Sequence, residues 1–161
     1  LVGFQLRISN MQLLKNVNEW LDEIAMTDRD DLYELFKIAG ASCSYVQLSS
    51  DVGLKVFRFH NKFQESIRHH RELALKGLAP CLYAAFTTQT RDGEKIHCVL
   101  VEHVTLIADV HAWADDDNIY NQVQAIRKQM KEMYDDNWVY DLHSFNLGLK
   151  GRKVVVIDTT L

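Results

Sequence analysis

The strongest constraint on this chain lies near its C-terminus. Val139-Tyr140-Asp141-Leu142-His143-Ser144-Phe145-Asn146 is followed, twelve residues after Asn146, by Asp158 at the end of Val154-Val155-Val156-Ile157. An acid, an amide five residues on, and a second acid closing an apolar strand demand a fold in which a loop and a β-run meet. One such carboxylate can orient an attacking hydroxyl. The amide and the second carboxylate can hold a divalent cation against phosphate. The plain alternative is a polar turn before a buried strand, and the remaining segments decide between the two.

The chain has 161 residues, the size of one domain, and 47% hydrophobic content is enough for a core. A net charge of −4 argues against a general nucleic-acid binder. No run of about eighteen apolar residues suggests a membrane span, and no leader pattern opens the sequence. The first residue is Leu rather than Met, so a trimmed N-terminus is expected. Cys43, Cys81 and Cys98 are odd in number and lack C-x-x-C spacing. They are expected to be buried small apolar groups of a reduced, cytoplasmic protein.

The periodicity predicts a helix over 10–25, with Met11, Leu14, Leu21 and Ile24 on one face and Asn10 as cap. A short helix follows over 28–36, and strand character is expected from Leu35. Tyr45–Leu48 and Val52–Phe59 read as strands around Ser49-Ser50-Asp51. A helix over 61–76 is stopped by Gly77 and Pro80. Its His69, His70, Arg68 and Arg71 suggest a charged face, and adjacent histidines cannot share one metal from a helix. Residues 81–88 and 95–104 read as a hairpin around Thr90-Arg91-Asp92-Gly93-Glu94. A helix over 119–134 carries Ile119, Val123, Ile126, Met130 and Met133 on one face. Asp115-Asp116-Asp117-Asn118 lacks the alternation of a calcium loop and reads as that helix's N-terminus, with Asn as cap. Strands at 147–149 and 153–157 close the chain around Lys150-Gly151-Arg152.

In this order the segments resemble the protein-kinase-like family. Asp141 to Asn146 matches the D-x-x-x-x-N catalytic loop, and Asp158 the metal-binding acid after it. Val52-Gly53-Leu54-Lys55-Val56 resembles the strand carrying the phosphate-binding lysine. Gly40-Ala41-Ser42-Cys43-Ser44-Tyr45 stands in place of the glycine-rich loop, with one glycine. Gly77-Leu78-Ala79-Pro80 resembles the G-[IL]-A-P link, and Val101-Glu102-His103-Val104 the hinge. The wording is similar to a minimal form, the serine/threonine kinases of T7-like bacteriophages.

The resemblance implies an α+β protein-kinase-like fold, with an antiparallel-sheet N-lobe over about 35–104 and a reduced helical C-lobe over 105–161. Residues 1–34 become an N-terminal helical extension. It implies ATP and Mg²⁺ as cofactors, Asp141 as catalytic base, Asn146 and Asp158 as metal ligands, and Lys55 on the nucleotide phosphates. Gly40 and Ser42 would approach the phosphates through backbone N–H groups. Glu72, or else Glu65, would hold Lys55. The Glu102 carbonyl and Val104 N–H would face adenine, with Val101 as gatekeeper. A Ser or Thr hydroxyl of a protein, in the host cytoplasm for a phage kinase, is the implied acceptor, with no nucleic-acid or membrane partner and the oligomeric state open. Two other outcomes fit the same residues: a non-catalytic kinase-fold protein that binds a partner, and a small-molecule phosphotransferase of the aminoglycoside or choline-kinase type. Thr159-Thr160 replaces the usual Phe-Gly, and the sequence ends at Leu161, which implies a truncated or reduced C-lobe.

Overall fold

A computed structural model describes residues 15–37, 43–134 and 146–157, together with the backbone of 4–6. The architecture is mixed α+β. A five-stranded sheet has the order β1-β2-β3-β5-β4, and a three-stranded sheet the order β6-β7-β8. The first is built from β1 (Phe4–Leu6), β2 (Cys43–Gln47), β3 (Val52–Phe57), β4 (Leu82–Gln89) and β5 (Lys95–Glu102). Only the β1–β2 pair is parallel. The second contains β6 (Thr105–Leu106), β7 (Leu147–Lys150) and β8 (Lys153–Val156), all antiparallel. Four α-helices complete the described residues: α1 (Val17–Ala25), α2 (Arg29–Phe36), α3 (His60–Leu75) and α4 (Asp117–Met133).

The helix starts follow local capping chemistry. The Asn16 side chain accepts from the Glu19 N–H at 2.9 Å, and the Glu19 carboxylate reaches back to the Asn16 N–H. This reciprocal cap is worth about 1 kcal/mol. It starts α1 at Val17, later than the expected start at Asn10, which lies outside the described residues. Asp116, rather than Asn118, caps α4 by accepting from the N–H groups of Asn118 and Ile119. The α3 terminus is a Schellman turn. Gly77 takes φ +69°, its N–H donates to Ala74, and the Leu78 N–H donates to Leu73. Residue 35 is helical, not the start of a strand, because Leu32, Tyr33 and Phe36 form one buried stripe of α2.

The two faces of the large sheet have different covers. Leu54, Val56, Val46, Ile96 and Cys98 point to one face, where Trp20, Ile24, Leu32 and Phe36 pack on them. Helices α1 and α2 therefore share a core with the sheet. The tip of the β4–β5 hairpin fastens them. Arg91 pairs with Asp28 through two hydrogen bonds of 2.9 and 2.8 Å, its N–H donates to Thr27, and the Arg29 N–H donates to Asp92. The opposite face presents Cys43, Tyr45, Phe57, Val99 and Val101 toward Phe63 and Ile67 of α3. A second core joins Leu73 and Leu78 to α4 and the small sheet, through Ile119, Val123, Ile126, Met130, Val154 and Val156. Gln122 locks that arrangement. Its amide donates to the Arg152 carbonyl at 2.8 Å and accepts from the Val154 N–H at 2.9 Å. No helix among the described residues is long and apolar enough to cross a membrane.

Candidate functional site

Lys55 stands at the centre of the large sheet, in register with Tyr45 on β2 and Val99 on β5. Strand alternation turns its side chain to the α3 face rather than toward α1 and α2. It is only 6% exposed, and its ammonium donates to the Ile157 carbonyl at 2.5 Å. The two residues are 102 positions apart. Ile157 immediately precedes Asp158, and its N–H donates to the Asn146 carbonyl at 2.9 Å. Lys55 and the Asn146 backbone therefore both bond to Ile157, just past the end of β8. Asn146 is itself 3% exposed.

A buried ammonium is costly unless it is paired. Here its one bonded partner among the described residues is neutral. Glu65 lies beside Lys62, and Glu72 accepts from Arg68 and from the Tyr134 hydroxyl. Among the described residues neither carboxylate meets Lys55. The inward side of α3 instead carries Phe63, Ser66, His70 and Leu73. These positions form one stripe at helical spacing, a signal that places His70 in the core. His69 and His70 are 4% and 2% exposed, so the two histidines leave the charged face, which Arg68 and Glu72 keep. The clustered charges of the segment disguise the stripe.

His70 Nε2 sits 2.6 Å from the Pro80 carbonyl, so the proton is on Nε2 and the ring is a donor there. Burial, and next the Lys55 ammonium, push its pKa down to about 4. The folded value lies below the unfolded one of 6.5, so the unfolded chain takes up the proton first. The stability contributed by neutral His70 is whole above pH 6.5 and is lost as pH falls toward 4. The expected loss is about 3 kcal/mol across that window. Denaturant unfolding as a function of pH should show a steeper acid loss for the wild type than for His70→Gln. Parallel profiles would contradict the assignment.

The strand end beyond β5 is tightly built. The Glu102 carboxylate accepts from the Cys81 N–H at 3.0 Å and pairs with Lys150 at 2.9 Å. It thereby ties the start of β4 to β7. Val104 packs where a side chain on Gly148 would stand, since a Cβ there would lie 2.4 Å from Val104 Cγ2 and 2.9 Å from Ile157 Cγ2. Gly53 has a similar role, because its Cβ would fall 1.8 Å from the Tyr45 hydroxyl. That hydroxyl is hydrogen-bonded to His103 Nδ1 at 2.6 Å. The chain therefore needs glycine at 53 and 148 for close approach, a requirement invisible in a one-dimensional reading.

Gly40, Ser42, Asp141 and Asp158 lie outside the described residues. Cys43 and Cys98 are buried as expected, whereas Cys81 is exposed. Among the described residues no group of three or more His, Cys, Asp or Glu side chains gathers. The chain matches no protein-family model, and no curated protein or solved structure matches it significantly.

Proposed function

We propose that this chain is a minimal protein-kinase-like phosphotransferase that uses ATP and Mg²⁺ and acts on Ser or Thr hydroxyls of proteins. The observation that carries this reading is the contact of Lys55 with the carbonyl of Ile157. It joins the central strand of the large sheet to the residue before Asp158, with Asn146 bonded to the same residue. The element order supports it as well: two antiparallel strands, a helix, a hairpin, a crossing segment at Glu102–Val104, a long helix, and a final hairpin.

The role of each residue follows from its chemistry. Lys55 is a buried cation with a neutral partner, suited to the negative charge of a nucleotide phosphate. The Asn146 amide oxygen and the Asp158 carboxylate are hard oxygen donors of the kind Mg²⁺ takes. Bound there, the ion would neutralise charge on the phosphates. Asp141 is assigned as the base that orients the acceptor hydroxyl. The backbone at Glu102 and Val104 is assigned to the adenine edge. Transfer at such a site is mostly positioning and charge stabilisation.

The test is transfer of label from ATP with Mg²⁺, by the chain alone and with a cell lysate, beside Asp141→Asn. Label on protein that Asp141→Asn abolishes is the expected result. Label in small molecules would replace the acceptor class. No Asp141-dependent transfer would reject the enzymatic reading.

A further inference from the structure

The two edges of the large sheet are treated differently. Among the described residues, edge strand β1 has three residues, and a short edge offers little to an invading strand. The opposite edge, β4, has eight residues, Leu-Tyr-Ala-Ala-Phe-Thr-Thr-Gln. It contains no charge and no proline, the usual guards of an exposed edge. A register shift between Leu82 and Ala84 leaves the rest of the strand regular.

Hydrogen-bond alternation shows which groups face outward. The Thr90 N–H donates to the Glu94 carbonyl, so Thr90 and Glu94 form a bonded pair. Two and four residues on, Thr88 with Ile96 and Phe86 with Cys98 also turn toward β5. Ala85, Thr87 and Gln89 therefore point their N–H and C=O groups away from the sheet. Their side chains are exposed, and no described residue receives those backbone groups. Beside them runs a groove lined by Phe63, Ile67, Leu75 and Ala85 together with Gln64, Arg68, Arg71 and Glu72, with Leu75 90% exposed.

We propose that β4 is a self-association edge, pairing antiparallel with β4 of a second copy about a two-fold axis at Thr87. That register sets Ala85 opposite Gln89, Phe86 opposite Thr88, and Thr87 opposite itself. Every outward-facing backbone group from Ala85 to Gln89 then finds a partner. A small or branched side chain meets the one large ring. Self-pairing sets a strand against its own charges, and β4 has none, so no like charges oppose each other. The interface is isologous and closes as a dimer.

Sedimentation equilibrium of the chain tests this, together with Thr87→Lys and Thr87→Glu. Each variant places two like charges at the axis. The wild type should dimerise, and each variant alone should weaken dimerisation at least about tenfold. An equal mixture of the two variants should dimerise again, which a misfolded variant could not do. Ala85→Pro removes only an outward-facing N–H and should also give monomers. A wild type that stays monomeric, or a dimer that all three variants leave intact, would overturn the proposal.

Discussion

Replacing Lys55 with methionine is expected to weaken nucleotide binding strongly without lowering stability. Methionine keeps the length and apolar stem of the side chain. It loses the charge, carried by a residue only 6% exposed and bonded to a neutral carbonyl. Two effects on stability oppose each other. The Ile157 carbonyl loses its donor, a cost of about 1–3 kcal/mol. The chain no longer carries a buried ammonium, whose desolvation costs several kcal/mol. The second effect is larger, so thermal unfolding should show an equal or higher midpoint. The affinity for Mg²⁺–ATP should fall roughly 10- to 100-fold, the worth of a charge-assisted bond of about 1.5–3 kcal/mol. Transfer should fall further, by roughly 10²–10³, because charge stabilisation matters most in the transition state. A lysine that serves only the fold would leave the affinity for Mg²⁺–ATP unchanged on the same substitution.

Phe36→Ala has the largest expected effect on folding. Phe36 is fully buried, and its ring lies 5.1 Å from that of Trp20. Both pack on Val46, Leu54, Val56, Ile96 and Cys98 of the sheet. Truncation should cost about 3–5 kcal/mol, a large share of the roughly 5–15 kcal/mol of a typical domain. Denaturant unfolding should keep one cooperative transition with its midpoint strongly lowered. The neighbouring Leu35, 38% exposed, serves as control, and Leu35→Ala should cost less than about 1 kcal/mol. A separate early transition, or a small effect for Phe36→Ala, would show that α1 and α2 are an appended unit.

Much of the architecture was legible from periodicity and punctuation. Gly77 ends α3 through a turn that only a residue tolerant of positive φ adopts easily, and Gly93 has φ +86° in the β4–β5 turn. The stripe of Ile119, Val123, Ile126 and Met130 is buried as its spacing predicts. Failures came where a side chain's partner is remote in sequence. Trp20 and Phe36 lie on the two leading helices, yet they face a sheet whose central strand begins at Val52.

The same limit applies to the site. Lys55 could be singled out from its alternating strand, but its partner at Ile157 is a backbone carbonyl without a sequence signature. The resemblance points first to Glu72 as the group holding Lys55. It is engaged instead by Tyr134 and Arg68, on the side of α3 away from the buried stripe. His70 occupies that stripe, and charged neighbours in the sequence concealed it.

In the proposed site, Lys55, Asn146 and Asp158 together bind the phosphates of a nucleotide with its magnesium. Calorimetric titration of the wild type and Lys55→Met with ATP, with and without Mg²⁺, tests it most directly. Saturable binding by the wild type, strengthened by Mg²⁺ and weakened roughly 10- to 100-fold in a folded Lys55→Met, is the predicted result. No binding by the wild type, or equal binding by a folded Lys55→Met, would contradict it.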